Sequence, residues 1–193
     1  MSVVITTYCN QFIAMCADRQ RTSTFTGEEQ VDAVTKVESL SPSIAIGRCG
    51  NLWLSDLVLS IVKGTIEETG IDNVTTEEVA DLFCQAYQFA REEDPEITDA
   101  MGIRFVVAGK LSNGELGVIV VSLGNGGKGM EMLENRQIPG SHICEPPDVS
   151  EDECHQLLSK AISNTKNKKS CTMMPSKQHI VRLLDIFQNV ASL

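Results

Sequence analysis

An α+β domain is the fold class this sequence predicts, and three observations predict it. Short apolar, β-branched runs open the chain, two stretches of helical apolar spacing follow, and strand-type runs then return before a last helical pattern. Strands gathered on either side of a helical block, rather than alternating with single helices, put the sheets inside and the helices outside.

The elements follow in order. Residues 2–9 and 11–17 are apolar and β-branched and are separated by Asn10, which reads as a tight hairpin. Residues 33–39 and 43–47 form a second strand pair with Ser41-Pro42 at its turn. Gly47 and Gly50 then punctuate the passage into a helix, where Leu54, Leu57, Val58, Ile61, Val62 and Ile66 recur at helical spacing to about Thr69. Gly70 suits the C-terminal cap. Thr75-x-x-Glu78 is a capping box for a second helix with Val79, Leu82, Phe83, Ala86, Phe89 and Ala90 on one face, ended by Glu92-Glu93-Asp94-Pro95. Strands are predicted at 103–111 and 116–122 around Asn113-Gly114, a strong hairpin signal, and near 129–134. Residues 149–164 read as a third helix, residues 164–169 as a polar break, and residues 179–187 suit strand or helix equally.

Bulk properties bound the function. A length of 193 residues predicts one domain, 1–193, and 42% hydrophobic with 22% charged residues is ordinary for a soluble globular protein. A net charge of −10 argues against nucleic acid as a partner, since phosphate binding needs a basic face. No apolar run reaches the roughly 18–20 residues that span a bilayer, so no membrane partner is expected. The absence of Lys or Arg before Arg19 leaves no basic n-region for a signal peptide, and seven Cys without framework spacing fit a reducing cytoplasm.

The chemistry sits at the N-terminus. Ser2 follows Met1 directly, and removing Met1 would create a residue that carries both a hydroxyl and a free α-amine, a nucleophile and its base in one. With Ser2 as the first anchor, Asp18-Arg19-Gln20-Arg21-Thr22, Thr35-Lys36-Val37 and Arg48-Cys49-Gly50 follow. Over residues 2–60 this pattern resembles the proteasome β-type peptidases and the peptidase subunit of the bacterial ATP-dependent two-component protease. The resemblance implies an N-terminal-nucleophile hydrolase with a four-layer αββα sandwich. It makes Ser2 the nucleophile, Asp18 and Lys36 its electrostatic partners, and Gly50 the oxyanion donor.

Those roles make physical sense. A free α-amine has a reference pKa of about 7.7–8.0, so it is partly neutral near pH 7 and can accept the hydroxyl proton. Lys36 held close would lower that pKa and favour the ionised nucleophile, Asp18 would hold Lys36 charged and aimed, and the Gly50 amide would donate to the oxyanion while lacking a side chain that blocks substrate. The resemblance also places Ser141, in Gly140-Ser141, beside the amine, and the pair Asn167-x-x-Ser170 behind it. The chain departs from the family here: Asn167 stands where the family has Asp, Cys171-Thr172 where it has Gly-Gly, and the nucleophile is Ser rather than the usual Thr.

Arg21, Thr22, Arg48 and Leu52 fall on the implied substrate pocket, and Arg48 implies a preference for acidic P1 side chains through a bidentate contact. The implied partners are a polypeptide substrate, further copies of the chain in a homo-oligomeric ring, and an ATPase unfoldase, with no cofactor and no metal. Rival readings are a catalytically inactive subunit of the same fold, a non-peptidase amidohydrolase, and a plain α+β binding domain. Processing before Thr6 or Thr7 would break the spacing to Asp18. His142, Cys144, Cys154 and His155 lack a familiar zinc pattern, and the Gly124–Gly129 run lacks the spacing of a phosphate loop.

Overall fold

A computed structural model describes residues 4–17, 21–22, 29–30, 35–69, 74–134, 137 and 140–144. In chain order these form β1 (Val4–Tyr8), β2 (Ile13–Ala17), β3 (Arg21–Thr22), β4 (Glu29–Gln30), β5 (Val37–Ser41), β6 (Ile44–Gly50), α1 (Leu52–Thr69), α2 (Thr76–Glu93), α3 (Pro95–Ala100), β7 (Gly102–Lys110), β8 (Leu116–Gly124), β9 (Gly129–Met132) and β10 (Gly140–Cys144). The strands make a five-stranded sheet in the order β5-β6-β7-β8-β9, a three-stranded sheet in the order β10-β1-β2, and a β3-β4 ladder. Every pairing is antiparallel.

Strand alternation divides the five-stranded sheet between two cores. Ile103, Phe105 and Val107 of β7 join Ile46, Ile119 and Val121 against Leu54, Val58 and Val62 of α1 and Phe83 and Ala90 of α2. Phe83 stacks on Phe105 with ring centroids 4.1 Å apart. Val106 and Ala108 of the same strand point the other way, with Cys49 and Val118, onto Val4, Tyr8 and Cys144 of the small sheet. A strand buried on both faces reads as a continuous apolar run, as Ile103–Ala108 does but for Arg104.

Among the described residues the layers are therefore helices, five-stranded sheet and three-stranded sheet. This corrects the expected four-layer αββα sandwich, which the described residues do not show. Each described helix packs on the five-stranded sheet, and residues 149–164, read as a third helix, lie outside the described residues, as do residues 179–187.

Local chemistry explains most boundaries. The capping box at α2 forms: Thr75 Oγ1 accepts from Glu78 N at 3.3 Å, and Glu78 Oε2 accepts from Thr75 N at 2.7 Å. Asp94-Pro95 ends α2 as expected but also starts the short α3, because proline at the first helical position gives up no helical hydrogen bond. The β7–β8 turn closes with Leu111 N donating to Glu115 O at 2.8 Å, and Gly114 takes φ 87°. Among the described residues no helix is long and apolar enough to cross a membrane.

Candidate functional site

The site is organised around the start of β1, the central strand of the small sheet. Val4 is fully buried and seats on Gly47 of β6; a Cβ at position 47 would lie 2.6 Å from Val4 Cγ1. Missing side-chain volume at Gly47 thus lets the two sheets approach where β1 begins. Ser2 and Asp18 lie outside the described residues, but the nearest described residues in the chain, Val4 and Ala17, are Cα partners.

Lys36 stands immediately before β5 and is 5% exposed. Its carbonyl accepts from Arg48 N at 2.8 Å, and the next residue, Val37, is the Cα partner of Gly47. Lys36 is thus tied through its backbone to β6 beside Gly47, on which Val4 rests.

Gly50 ends β6 with φ 100°, and a Cβ there would collide with the Gly102 carbonyl. Both facts demand glycine for backbone reasons. They supply a structural cause for this residue that does not depend on substrate approach. The strand turns at once into α1: Asn51 N donates to Gly102 O at 3.0 Å, and Asn51 Oδ1 accepts from Leu54 N at 3.0 Å as the N-cap. Leu52 is the first residue of α1 and is partly buried. The positive end of the helix dipole is thereby aimed at the Gly50 region.

Arg48 is 8% exposed and its guanidinium is engaged. Nε and Nη2 donate to the Thr35 carbonyl at 3.3 and 3.0 Å, and Nη1 pairs with the Asp56 carboxylate of α1. The fork clamps β6 to the segment before Lys36 and to the first turns of α1. That use competes with the expected role of gripping a substrate carboxylate.

Ser141 lies on β10, opposite the middle of β1. It is the Cα partner of Thr7, and the two hydroxyl oxygens lie 3.1 Å apart. At about 3.4 Å per strand residue, this is roughly 10 Å along β1 from Val4. Thr6 and Thr7 sit mid-strand and buried, so processing there would cut away half of β1. Arg21 and Thr22 form β3, with Gln30 and Glu29 of β4 as Cα partners. Asn167 and Ser170 lie outside the described residues, as do Cys154 and His155 of the candidate metal set. Among the described residues no group of three or more His, Cys, Asp or Glu is placed to hold a metal ion.

Two relationships escaped sequence reasoning: Asp56 as the partner of Arg48, and the approach of Cys49 to Cys144 at a sulfur separation of 3.0 Å. The first joins a strand to a helix across a turn, and the second joins residues 95 positions apart, so neither leaves a short-range signal.

No protein-family model matches this sequence, and no curated protein matches it. Solved structures do. A mutant of Anbu from Hyphomicrobium sp. strain MC1 superposes with a TM-score of 0.59 at 11% identity, covering 90% of this chain and 78% of that one. Anbu (ancestral beta-subunit) from Yersinia bercovieri superposes with a TM-score of 0.59 at 14% identity and the same 90% and 78% coverage. These findings correct the expected family assignment: no family model places the chain among the proteasome β-type or ATP-dependent-protease peptidase subunits. What the comparisons show is a fold related to that of Anbu at 11–14% identity.

Proposed function

We propose that this chain is a peptidase whose nucleophile is Ser2, exposed as an N-terminal residue once the bond to Met1 is cut. The observation that supports the reading is the seating of Val4 on Gly47, which packs the start of β1 against β6, the strand that carries Arg48 and Gly50.

In this reading Ser2 Oγ attacks the scissile carbonyl carbon while the α-amine of the same residue takes the hydroxyl proton. The Gly50 N–H, with the positive end of α1 behind it, stabilises the tetrahedral oxyanion. The amine then protonates the leaving amino group, and water attacks the resulting ester by the same route to regenerate Ser2. Lys36 biases the amine toward its neutral form and the hydroxyl toward its ionised form, and Asp18 holds Lys36 charged. The substrate is a polypeptide, and the reading carries no acidic P1 preference, because Arg48 is engaged by Thr35 and Asp56. Assembly as a homo-oligomeric ring in the cytoplasm, fed by an ATPase unfoldase, belongs to the same proposal. Half-exposed Trp53, Phe89, Met130 and Met132 offer apolar surface for such contacts.

The test is intact mass followed by trapping. A chain beginning at Ser2 should take up one N-terminal-directed epoxyketone per subunit and hydrolyse fluorogenic peptides, and Ser2→Ala should do neither. A chain beginning at Ser2 that stays unreactive sinks the proposal. One observation favours a second reading, a non-catalytic subunit of the same fold: the Ser141 hydroxyl lies within hydrogen-bond distance of the buried Thr7, in the middle of β1.

A further inference from the structure

Cys49 of β6 and Cys144 of β10 face each other across the layer between the two sheets, 3% and 0% exposed, with Sγ atoms 3.0 Å apart. That separation is shorter than the about 3.5–4.0 Å at which non-bonded carbon atoms rest, and about 1 Å longer than a disulfide bond. From this geometry we infer that Cys49 and Cys144 are a reversible disulfide site that staples the three-stranded sheet to the five-stranded sheet.

The local packing explains how the pair comes within reach. Stacked sheets usually lie about 10 Å apart, whereas a disulfide needs Cα atoms about 4.4–6.8 Å apart. Gly47 removes the obstacle. It lies two residues before Cys49 on the same strand face, and Val4 occupies the space its side chain would fill. Val4 is in turn the Cα partner of Cys144. The glycine–valine contact and the cysteine pair are thus adjacent parts of one close approach between sheets. The two thiols share their surroundings with Val106, Ala108 and Val118, so the site is apolar and shielded. The Cys49 thiol also has the Arg104 carbonyl in reach, at 3.8 Å.

The bond forms by thiol–disulfide exchange with a low-molecular-weight disulfide of the glutathione type. The Cys49 sulfur, the less buried of the two, loses its proton to solvent and attacks one sulfur of that disulfide during a local opening of the sheets. One small thiolate leaves, and Cys49 is held as a mixed disulfide. Cys144 then attacks the Cys49 sulfur, displacing the second small thiolate. The two protein thiols lose two electrons and two protons in total, and the small disulfide is reduced to two thiols. A reducing pool reverses each step.

The staple sits at the junction described above. Cys49 directly precedes Gly50, and Cys144 pairs with the first residue of β1. Oxidation would lock the start of β1 onto β6 and reduction would release it. The inference concerns only the two thiols and does not depend on the proposed peptidase activity.

The full chain is incubated with reduced or with oxidised glutathione, its remaining thiols are blocked, and peptides are mapped without reduction. The oxidised sample should yield a Cys49–Cys144 linked peptide that dithiothreitol abolishes, and its thermal midpoint should rise by roughly 5–15 °C. Cys49→Ala and Cys144→Ala should each lose that rise; the wild-type map decides the matter alone if either variant fails to fold. Recovery of both thiols blocked and unlinked, glutathione retained on Cys49 without transfer to Cys144, or linkage of either to another cysteine would overturn the inference. Ser2→Ala should give the same map as the wild type, so failure here and failure of the proposed activity are separable.

Discussion

Val4 rests on Gly47 so closely that a Cβ at position 47 would lie 2.6 Å from Val4 Cγ1 and 3.4 Å from Met15 Cε. The contact joins β1 and β2 of one sheet to β6 of the other, the strand that also carries Arg48, Cys49 and Gly50.

Gly47→Ala should therefore lower stability by about 1–3 kcal/mol in chemical denaturation, the usual range for overpacking. Gly64→Ala is the matched control. Gly64 lies within α1 with nothing within 4 Å of an added Cβ, so that change should stabilise by about 0.5–1 kcal/mol.

Gly50→Ala should be worse tolerated than Gly47→Ala, because it combines φ 100° with a collision against the backbone carbonyl of Gly102. Valine and methionine side chains can shift, whereas a carbonyl held in a sheet cannot. A smaller loss at position 50 than at position 47 would contradict the geometry.

Lys36→Met tests the proposed electrostatics. Methionine keeps most of the buried stem, so the circular dichroism spectrum should be unchanged. Peptide hydrolysis should fall by roughly 10²–10⁴-fold in kcat/KM, the range associated with a lost acid–base contribution. Hydrolysis at the wild-type rate would remove Lys36 from the mechanism.

Arg48→Met separates clamp from specificity pocket. With its guanidinium held by the Thr35 carbonyl and Asp56, Arg48 should contribute about 1–3 kcal/mol to stability through hydrogen bonds in a largely buried setting. The P1 profile in a fluorogenic peptide screen should not change. A switch from acidic to apolar P1 would restore the expectation drawn from sequence.

Glu77 gives a pH signature. Partial desolvation disfavours its charge. The hydrogen bonds it accepts from its own backbone, from Ser112 N and Oγ and from Thr75 together outweigh this and hold its pKa below the ordinary carboxylate value. A carboxylate with a depressed folded-state pKa adds stability that is complete above the unfolded value of about 4.3 and is lost as pH falls through the folded value. Because the group is mostly exposed, solvent screening should keep the loss in Glu77→Gln near 0.5–1 kcal/mol at pH 7. The gap between variant and wild type should close in acid; a gap that widens there would reverse the assignment.

Much of the secondary structure was legible because it is written over short distances. The Thr75–Glu78 box, the apolar faces of α1 and α2, and the Asn113-Gly114 hairpin each depend on residues a few positions apart. β10 was not legible: Gly140–Cys144 has no turn partner nearby and becomes a strand only because β1, more than 130 residues earlier, offers it an edge. Arg48 illustrates the same limit at the site. Its position suggested a substrate pocket, and its role as a clamp appears only when Thr35 and Asp56 are brought to it from two other segments.

By itself the sequence determined where α1 and α2 and the β1–β2, β5–β6 and β7–β8 hairpins form, since periodicity, caps and turn residues act within a few positions along the chain. Only the tertiary structure decided the number of layers, the backbone reason for Gly50, the fate of Ser141 and the meeting of Cys49 with Cys144. Each of these rests on contacts between residues far apart in the chain, whose proximity is set by how two sheets pack and not by any local propensity.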